Sequence, residues 1–364
     1  MKICVITPRW DITGVPLAQR RFALALAAAG HDVDLIIGRK DADLTIPLSP
    51  GVNLVVWDAL GVRAMWWPIV RYLRQVQPEI VFSAEDHLNG AVLLAAVFAR
   101  SKAKISGSSR VPPSDSYSNR PGSKKWVRKQ LMRLAAKRAD ALTCVSKDMV
   151  TSYRRFFPNG THQHVYNIVD DATSRQRAME PVDHEWFQDG AAPVVVGAGT
   201  LTGRKNFRLL VDAMGEIARR NRYVRLAIFG EGYRRSELEE QIERLGIGDR
   251  TWLPGRVENP LSFFSRANVM ALSSYAEGMP NVLVEGMMCG CTPVATDCPT
   301  GPWELLGDNR VGHLVPMDDP IAMADAIERA LDAPTPLMTL QEAVAPFLEE
   351  AVIARHFEVL GLKV

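Results

Sequence analysis

Glu277 and Glu285 stand eight positions apart within residues 273–302, SSYAEGMPNVLVEGMMCGCTPVATDCPTGP. The first falls in the Gly/Pro loop Glu277-Gly278-Met279-Pro280, and the second lies in the short apolar run NVLVEGMMCG, which reads as a helix. Polar groups gather where that loop meets the helix start, the place beyond the carboxyl ends of the strands where ligands bind in parallel α/β sheets. Upstream, Arg204 and Lys205 follow the apolar run PVVVGAGT and precede the amphipathic pattern FRLLVDAMGEIARR. Two cations beside a helix start, where backbone N–H groups are free, suit a diphosphate and can neutralise charge on a departing phosphate oxygen. No separate protein nucleophile stands out.

Other chemistries fit less well. Asp32-Val33-Asp34 lies inside an alternating strand pattern, and Asp41-Ala42-Asp43 reads as a loop. The seven histidines lack ligand spacing and Cys289-x-Cys291 has no partner pair, so no metal site is expected. Gly197, Gly199 and Gly203 give G-x-G-x-x-x-G rather than G-x-G-x-x-G, and no acidic residue ends the next strand, VRLAIFG; a nicotinamide site is therefore not expected.

The elements that must position these groups repeat as strand, loop, helix. KICVIT is followed by Thr13-Gly14, the helical pattern LAQRRFALALAAAG and the strand HDVDLIIG, a βαβ unit in which Gly14 fits either a tight turn or close approach of a ligand. EIVFSAEDHLNG is a strand ending in Glu85, Asp86, His87 and Asn89, a polar cluster placed where active-site groups gather in parallel sheets, although capping of the next helix accounts for one of them. PVVVGAGT, VRLAIFG, TWLPG, VMALSS and TPVATD continue the alternation in the second half, which therefore reads as a second doubly wound sheet. The chain divides as 1–170, a first domain; 171–192, a polar and aperiodic linker; 193–340, a second domain; and terminal helices over 341–364.

At 364 residues and 23% charged, the chain suits two globular domains. Its longest apolar run, 91–99, is far short of the roughly 20 residues a spanning helix needs. The start MKICVITPRW lacks the regions of a signal peptide, and five scattered cysteines suit a reduced, cytosolic protein. The net charge of +2 conceals an asymmetry: residues 1–170 carry 24 Lys/Arg against 13 Asp/Glu, and residues 171–364 carry 19 against 28. The basic half points to an anionic partner. Within 120–138, SKKWVRKQLMRLAAKR included, eight bases and no acid are found. Lys124, Lys125, Trp126, Arg128, Lys129 and Arg133 make a basic amphipathic helix that either packs its apolar face on the sheet or lies on an anionic lipid surface at the inner face of a membrane. Trp66 and Trp67 fit a core or a lipid interface. The basic residues lack interleaved stacking aromatics and no nucleic-acid module appears, so nucleic acid is not an expected partner.

Taken in order, TG before the first helix, AAAGHDV after it, GAGTLTGRKN, IFGEG, LPGRVENP, Ser274-x-x-Glu277-Gly278-Met279-Pro280, Glu285 completing Glu-x7-Glu, and GCTPVATD resemble the retaining nucleotide-sugar glycosyltransferases of the GT-B fold, of the family 4 type. CPTGP followed by Glu304 is similar to members that build surface polysaccharide and lipid-linked oligosaccharide. The resemblance implies an α/β protein of two Rossmann-like domains facing a cleft, with the last helix returning to the first domain. It implies that Arg204 and Lys205 hold the donor diphosphate, Glu285 the ribose, and Glu277 the donor sugar, beside Gly278, Met279, Pro280 and Asn281. Arg256 and Val257 would lie against the base, and Gly14 and Gly199 would admit the phosphates. His87 would stand near the reacting sugar, although Glu-Asp-His-Leu-Asn departs from the usual pattern there, as Thr13 does from the usual first glycine. The expected reaction is transfer from a nucleotide-diphosphate sugar, a UDP-sugar by preference, to a lipid-linked or envelope glycan with retention, without metal or cofactor. Two alternatives are an epimerase or hydrolase of the same fold and a non-catalytic nucleotide-sugar-binding protein.

Overall fold

The computed structural model describes residues 1–10, 14–40 and 50–363; Thr13, Asp41 and Asp43 lie outside the described residues. Apolar runs four to six residues long form most of the strands, and their near-complete burial is what a sheet covered on both faces requires. Residues 1–168 and 349–364 make one unit, and residues 169–348 a second.

The first unit holds seven parallel strands: β1 (Lys2–Thr7), β2 (Asp32–Ile37), β3 (Val52–Val56), β4 (Ile80–Ala84), β5 (Lys104–Ser109), β6 (Ala141–Cys144) and β7 (His162–His164), in the order β3-β2-β1-β4-β5-β6-β7. The second holds β8 (Val194–Ala198), β9 (Arg225–Phe229), β10 (Thr251–Gly255), β11 (Val269–Leu272), β12 (Thr292–Thr296) and β13 (His313–Val315), in the order β10-β9-β8-β11-β12-β13. Each sheet reverses its winding once, between β1 and β4 and between β8 and β11. The loops leaving the carboxyl ends of those paired strands diverge there and leave a crevice for a ligand.

Local chemistry sets the elements. Ser123 Oγ accepts from Trp126 N at 3.1 Å and starts the helix Lys124–Ala135. Asp319 Oδ1 accepts from Ala322 N at 2.9 Å, beside Pro320, and starts Pro320–Asp332. Asp34, half of the DxD-like pair, is a buried strand residue that accepts from Lys2 Nζ at 2.6 Å, Asn53 Nδ2 at 2.9 Å and Tyr72 Oη at 2.6 Å.

Two boundaries need correction. Residues 171–192 are not a free linker: Asp171 caps the helix Ala172–Ala178, a 3₁₀ turn follows at Glu185–Phe187, and both belong to the second unit. Trp186 and Phe187 are buried against Trp252 and Phe263, with ring centroids 6.3 and 5.1 Å apart respectively. Sparse aromatic anchors hold this segment, so periodicity does not show it. The helix Leu337–Val344 likewise belongs to the second unit; Phe347 O accepts from Val169 N, and the chain re-enters the first unit at Glu349, with the helix Glu349–Val359 packed against Gly14–Ala28.

That terminal helix carries His356 into the first unit's core, between Phe22 and Phe82 with ring centroids 4.6 and 5.3 Å away. Burial, with Arg110 nearby, lowers its pKa to about 3, and burial lowers that of His162 to about 4. Both groups are therefore neutral in the fold and take up protons on unfolding below their ordinary value of 6.5. Stability contributed by the neutral rings is present above pH 6.5 and is lost as pH falls toward these folded values. We expect the free energy of unfolding, and with it the urea midpoint, to fall steadily from about pH 6.5 to about pH 4, the free energy by up to about 1.4 kcal/mol per pH unit for each histidine. His356→Leu should flatten that slope in equilibrium unfolding.

Candidate functional site

The second sheet's reversal brings together two loops. One, 199–206, leaves β8; the other, 273–280, leaves β11 and leads into the helix Asn281–Met288. Lys205 Nζ lies 2.6 Å from Glu277 Oε1, and Ser274 Oγ donates to that same oxygen at 2.6 Å. The side chains are 17% and 8% exposed, so this ion pair is held in an environment where a lone charge would be costly. Two further bonds fasten the two loops, Ser273 Oγ donating to Lys205 O at 2.9 Å and Tyr275 N to Arg204 O at 2.8 Å, and Thr296 Oγ1, at the end of β12, donates to Ser274 O at 2.6 Å. Thr300 Oγ1 donates to Glu277 O, tying the 297–301 segment to the same place.

Two glycines permit the close approach. Gly230 has φ +145°, and a Cβ there would stand 1.9 Å from Gly199 O. Gly301 has φ +92°, and its Cβ would stand 2.6 Å from Pro280 Cδ. Both positions exclude any side chain, by strain and by collision.

The structure brings Lys205 and Glu277 into direct contact, where the sequence assigns them to different parts of a ligand. Gly199 lies against the Lys205 stem: its Cβ would be 3.2 Å from Lys205 Cε. Gly278, Met279 and Pro280 form the turn before Asn281, with Met279 buried. Glu285 is half-buried on the helix, one turn in from Asn281, and raises the pKa of Cys289 with burial as the larger cause. Arg204 is exposed beside the loop, and Arg256 and Val257 follow directly on β10. Ser274 has a place in the motif, but the bond it makes to Glu277, and the roles of Ser273, Thr296 and Thr300, are not readable from sequence; the short polar side chains that follow β11 and β12 are the only signal.

At the first sheet's reversal the polar cluster separates into two parts. Asp86 and Asn89 point inward: Asp86 accepts from Ser109 Oγ and Tyr153 Oη, both at 2.7 Å, while Asn89 accepts from Ser83 Oγ at 2.8 Å and donates to Ser108 O at 3.0 Å. They hold β4 and β5 to the helix Asp86–Ala99 and are structural. His87 Nε2 stands 3.3 Å from Glu85 Oε2, with side chains 45% and 22% exposed. Burial, then Arg128 and Arg9, lowers the His87 pKa against the opposing pull of Asp86. Glu85 has φ +78°, a strained backbone for a non-glycine residue at a strand end. Gly14 opens the helix Gly14–Ala28 and is exposed.

The helix Lys124–Ala135 buries only Met132 and Ala135. Val127, Leu131 and Leu134 are 47%, 51% and 63% exposed, so most of the apolar face read from the sequence does not pack on the sheet. Lys125 Nζ donates to Ser114 O at 2.9 Å, Arg128 to Ser116 O at 3.3 Å, and Lys129 to Asn119 Oδ1. Trp126 is half-buried, and Lys124 and Arg133 are exposed. Trp67 is 63% exposed and meets Phe98 edge-on, with centroids 5.7 Å apart. Among the described residues no helix is long and apolar enough to cross a membrane, and no group of three His, Cys, Asp or Glu is placed to hold a metal ion.

Paired parallel sheets with one common strand order, each reversing once, are those of the GT-B fold. The model described as Glycosyltransferase Family 4 matches residues 12–173, and that described as Glycosyl transferases group 1 matches residues 192–333. The chain belongs to this glycosyltransferase family. It is 26% identical to an uncharacterized glycosyltransferase of Methanocaldococcus jannaschii, over 70% of this chain and 66% of the relative. It is 32% identical to the N-acetylgalactosamine-N,N'-diacetylbacillosaminyl-diphospho-undecaprenol 4-alpha-N-acetylgalactosaminyltransferase of Campylobacter jejuni, over 46% and 44% respectively. The matches thus span two thirds or less of these relatives' lengths. The structure of Anabaena HepE in complex with UDP superposes with a TM-score of 0.74 at 18% identity, covering 99% of this chain and 100% of that one.

The ion pair makes a direct prediction. Lys205→Met leaves Glu277 buried without its partner and should destabilise the second unit by roughly 3 kcal/mol, whereas the double variant with Glu277→Met should recover most of the loss. Chemical denaturation of the four proteins of the cycle measures this.

Proposed function

We propose that the protein is a retaining glycosyltransferase that moves a sugar from a nucleotide-diphosphate donor, a UDP-sugar, to a lipid-linked or cell-envelope glycan, without a metal. The observation that carries this reading is the buried Lys205–Glu277 contact at the second sheet's reversal, in the part of the chain that matches the group 1 model. On donor binding, the Lys205 ammonium is shared between Glu277 and a phosphate oxygen, and Arg204 supplies a second cation. Charge that grows on the departing diphosphate is met by these two groups. Glu285 accepts the ribose hydroxyls, Arg256 and Val257 lie by the base, and the turn Gly278-Met279-Pro280-Asn281 borders the sugar. Lys205 and Ser274 both bond to Glu277 Oε1, which fixes the carboxylate and leaves Oε2 for a sugar hydroxyl or the developing positive charge. The acceptor hydroxyl attacks from the face the diphosphate leaves, so configuration is kept. In the first unit, Gly14 and His87 serve the acceptor side, and the lowered pKa of His87 keeps the ring neutral near pH 7.

The UDP bound to HepE supports the choice of nucleotide, and the diphospho-undecaprenol in the name of the Campylobacter relative supports a polyprenyl diphosphate acceptor. The exposed Val127, Leu131 and Leu134, flanked by Lys124 and Arg133, support seating of the first unit on an anionic bilayer at the inner face of the membrane.

A thermal-shift series with UDP, GDP and their sugars tests the donor. UDP should raise the melting temperature in proportion to occupancy. Lys205→Ala should abolish that shift, and an unchanged shift would refute the diphosphate assignment. With a donor sugar and a prenyl-diphosphate-linked glycan, transfer should give a product of unchanged anomeric configuration by NMR. Donor consumed without acceptor would favour the epimerase or hydrolase. For the membrane, sedimentation with phosphatidylglycerol vesicles should fall by at least about tenfold in Leu131→Ser/Leu134→Ser and with added salt; equal binding to neutral vesicles would remove the electrostatic part.

A further inference from the structure

The loop that carries Arg204 and Lys205 has another side. There a cavity of about 210 Å³ opens between the starts of the helices Phe207–Arg219 and Arg235–Leu245. Thr202, Gly203, Asn206, Arg208, Arg234 and Tyr275 supply its polar lining. Lys205 does not line it, since its ammonium is held by Glu277.

Its donors outnumber its acceptors. Arg234 Nε and Asn206 Nδ2 are shielded from water and have no hydrogen-bond partner, while the rest of the Arg234 guanidinium is partly exposed and bonds to Glu237 and to the Tyr233 hydroxyl. Asn206 has φ +45°, and its side chain makes no capping bond to the helix it precedes. The guanidinium of Arg208 is exposed beside them. Two acids are near, and each is already engaged: Glu237 pairs with Arg234 Nη1, and Asp318 accepts from Tyr275 Oη. Gly203 borders the same space: a Cβ placed on it would stand 3.5 Å from Arg234 Nε and 3.6 Å from Tyr233 Oη, which is ordinary contact distance. Tyr233 Oη in turn accepts from Gly203 N at 3.1 Å, which fixes the loop against Arg234. Shielded N–H donors without acceptors are rare because they are costly, so a group of them around a cavity marks the place of an absent acceptor. Two guanidinium forks and an amide match a tetrahedral oxyanion in both charge and shape.

We propose that this cavity is a second oxyanion site, taking a phosphoryl group distinct from the donor's diphosphate. Its occupant bonds to Arg234, Arg208 and Asn206, and the diphosphate loop separates it from Lys205. The phosphoryl group comes from free phosphate or from a phosphorylated metabolite, and the two sources share this recognition.

The test uses the full chain, with inorganic phosphate and with glucose 6-phosphate as probes at constant ionic strength. Binding is followed by calorimetry and thermal shift, with and without saturating UDP. The wild type should bind at least one probe saturably, and UDP should not displace it. The stronger probe identifies the source. Arg234→Gln and Arg208→Gln should each weaken binding by about tenfold, while Lys205→Ala should leave it unchanged. Arg208 is exposed, so its variant keeps the test open if Arg234→Gln fails to fold. Displacement by UDP, or loss in Lys205→Ala with both arginine variants unaffected, would place the ion at the donor loop and overturn the proposal. Absence of saturable binding by either probe up to tens of millimolar would overturn it as well. The UDP shift is read separately, so failure of the oxyanion site is distinguishable from failure of the donor assignment.

Discussion

The site in the second unit depends on one ion pair. Lys205 and Glu277 come from loops 72 residues apart in sequence and meet at 2.6 Å. Removing two charges from water costs more than their attraction returns unless other bonds complete the arrangement. Ser274 completes the carboxylate, Ser273 and Tyr275 bind the two loops together through the backbone of Lys205 and Arg204, and Thr296 ties the second loop to β12. The pair therefore contributes position more than stability. It holds an ammonium and a carboxylate in fixed orientation at the place where the sheet reverses, so little reorganisation is left for the moment a ligand arrives.

The two units share a strand order and differ in what they place at the reversal. In the second unit the loops are tied by charge and by glycines that admit no side chain. In the first, the inward members of the polar cluster, Asp86 and Asn89, secure the sheet from below, and Glu85 is left in a strained conformation with His87 beside it. One scaffold thus supports a locked charged site in one unit and a neutral imidazole paired with a carboxylate in the other.

Much of this was legible beforehand, for physical reasons. Most of the parallel strands are apolar-rich runs, visible because both faces are buried; His313–Val315, three residues long, was not read beforehand. Arg204, Lys205 and Glu277 were legible as candidates because charges beside glycine turns at strand ends are hard to explain otherwise, and Glu285 because it is a carboxylate in an apolar helix eight positions after Glu277. Sequence does not give pairings across 72 residues, so Lys205 and Glu277 were assigned separately. Direction was also hidden: Asp86, His87 and Asn89 look alike in sequence, and a helical turn sends them to opposite sides. The segment 171–192 was misread because Trp186 and Phe187 anchor it at two points without a period.

The basic block shows how a count can mislead. Residues 120–138 hold eight cations, and the surplus alone suggests a uniformly positive surface. Lys125, Arg128 and Lys129 are turned back onto the segment 114–119, and Arg138 donates to Ser101 O and Ala103 O. These four fasten the chain. Lys124 and Arg133 on the helix, with Lys137 just beyond it, are exposed and not tied to that segment, Lys125 and Arg128 stay exposed despite their bonds, and together they border Val127, Leu131 and Leu134. Attraction from exposed charges falls away within a Debye length and is weakened by salt. The apolar residues must therefore supply much of the affinity for any surface the helix meets, and the charges select its sign.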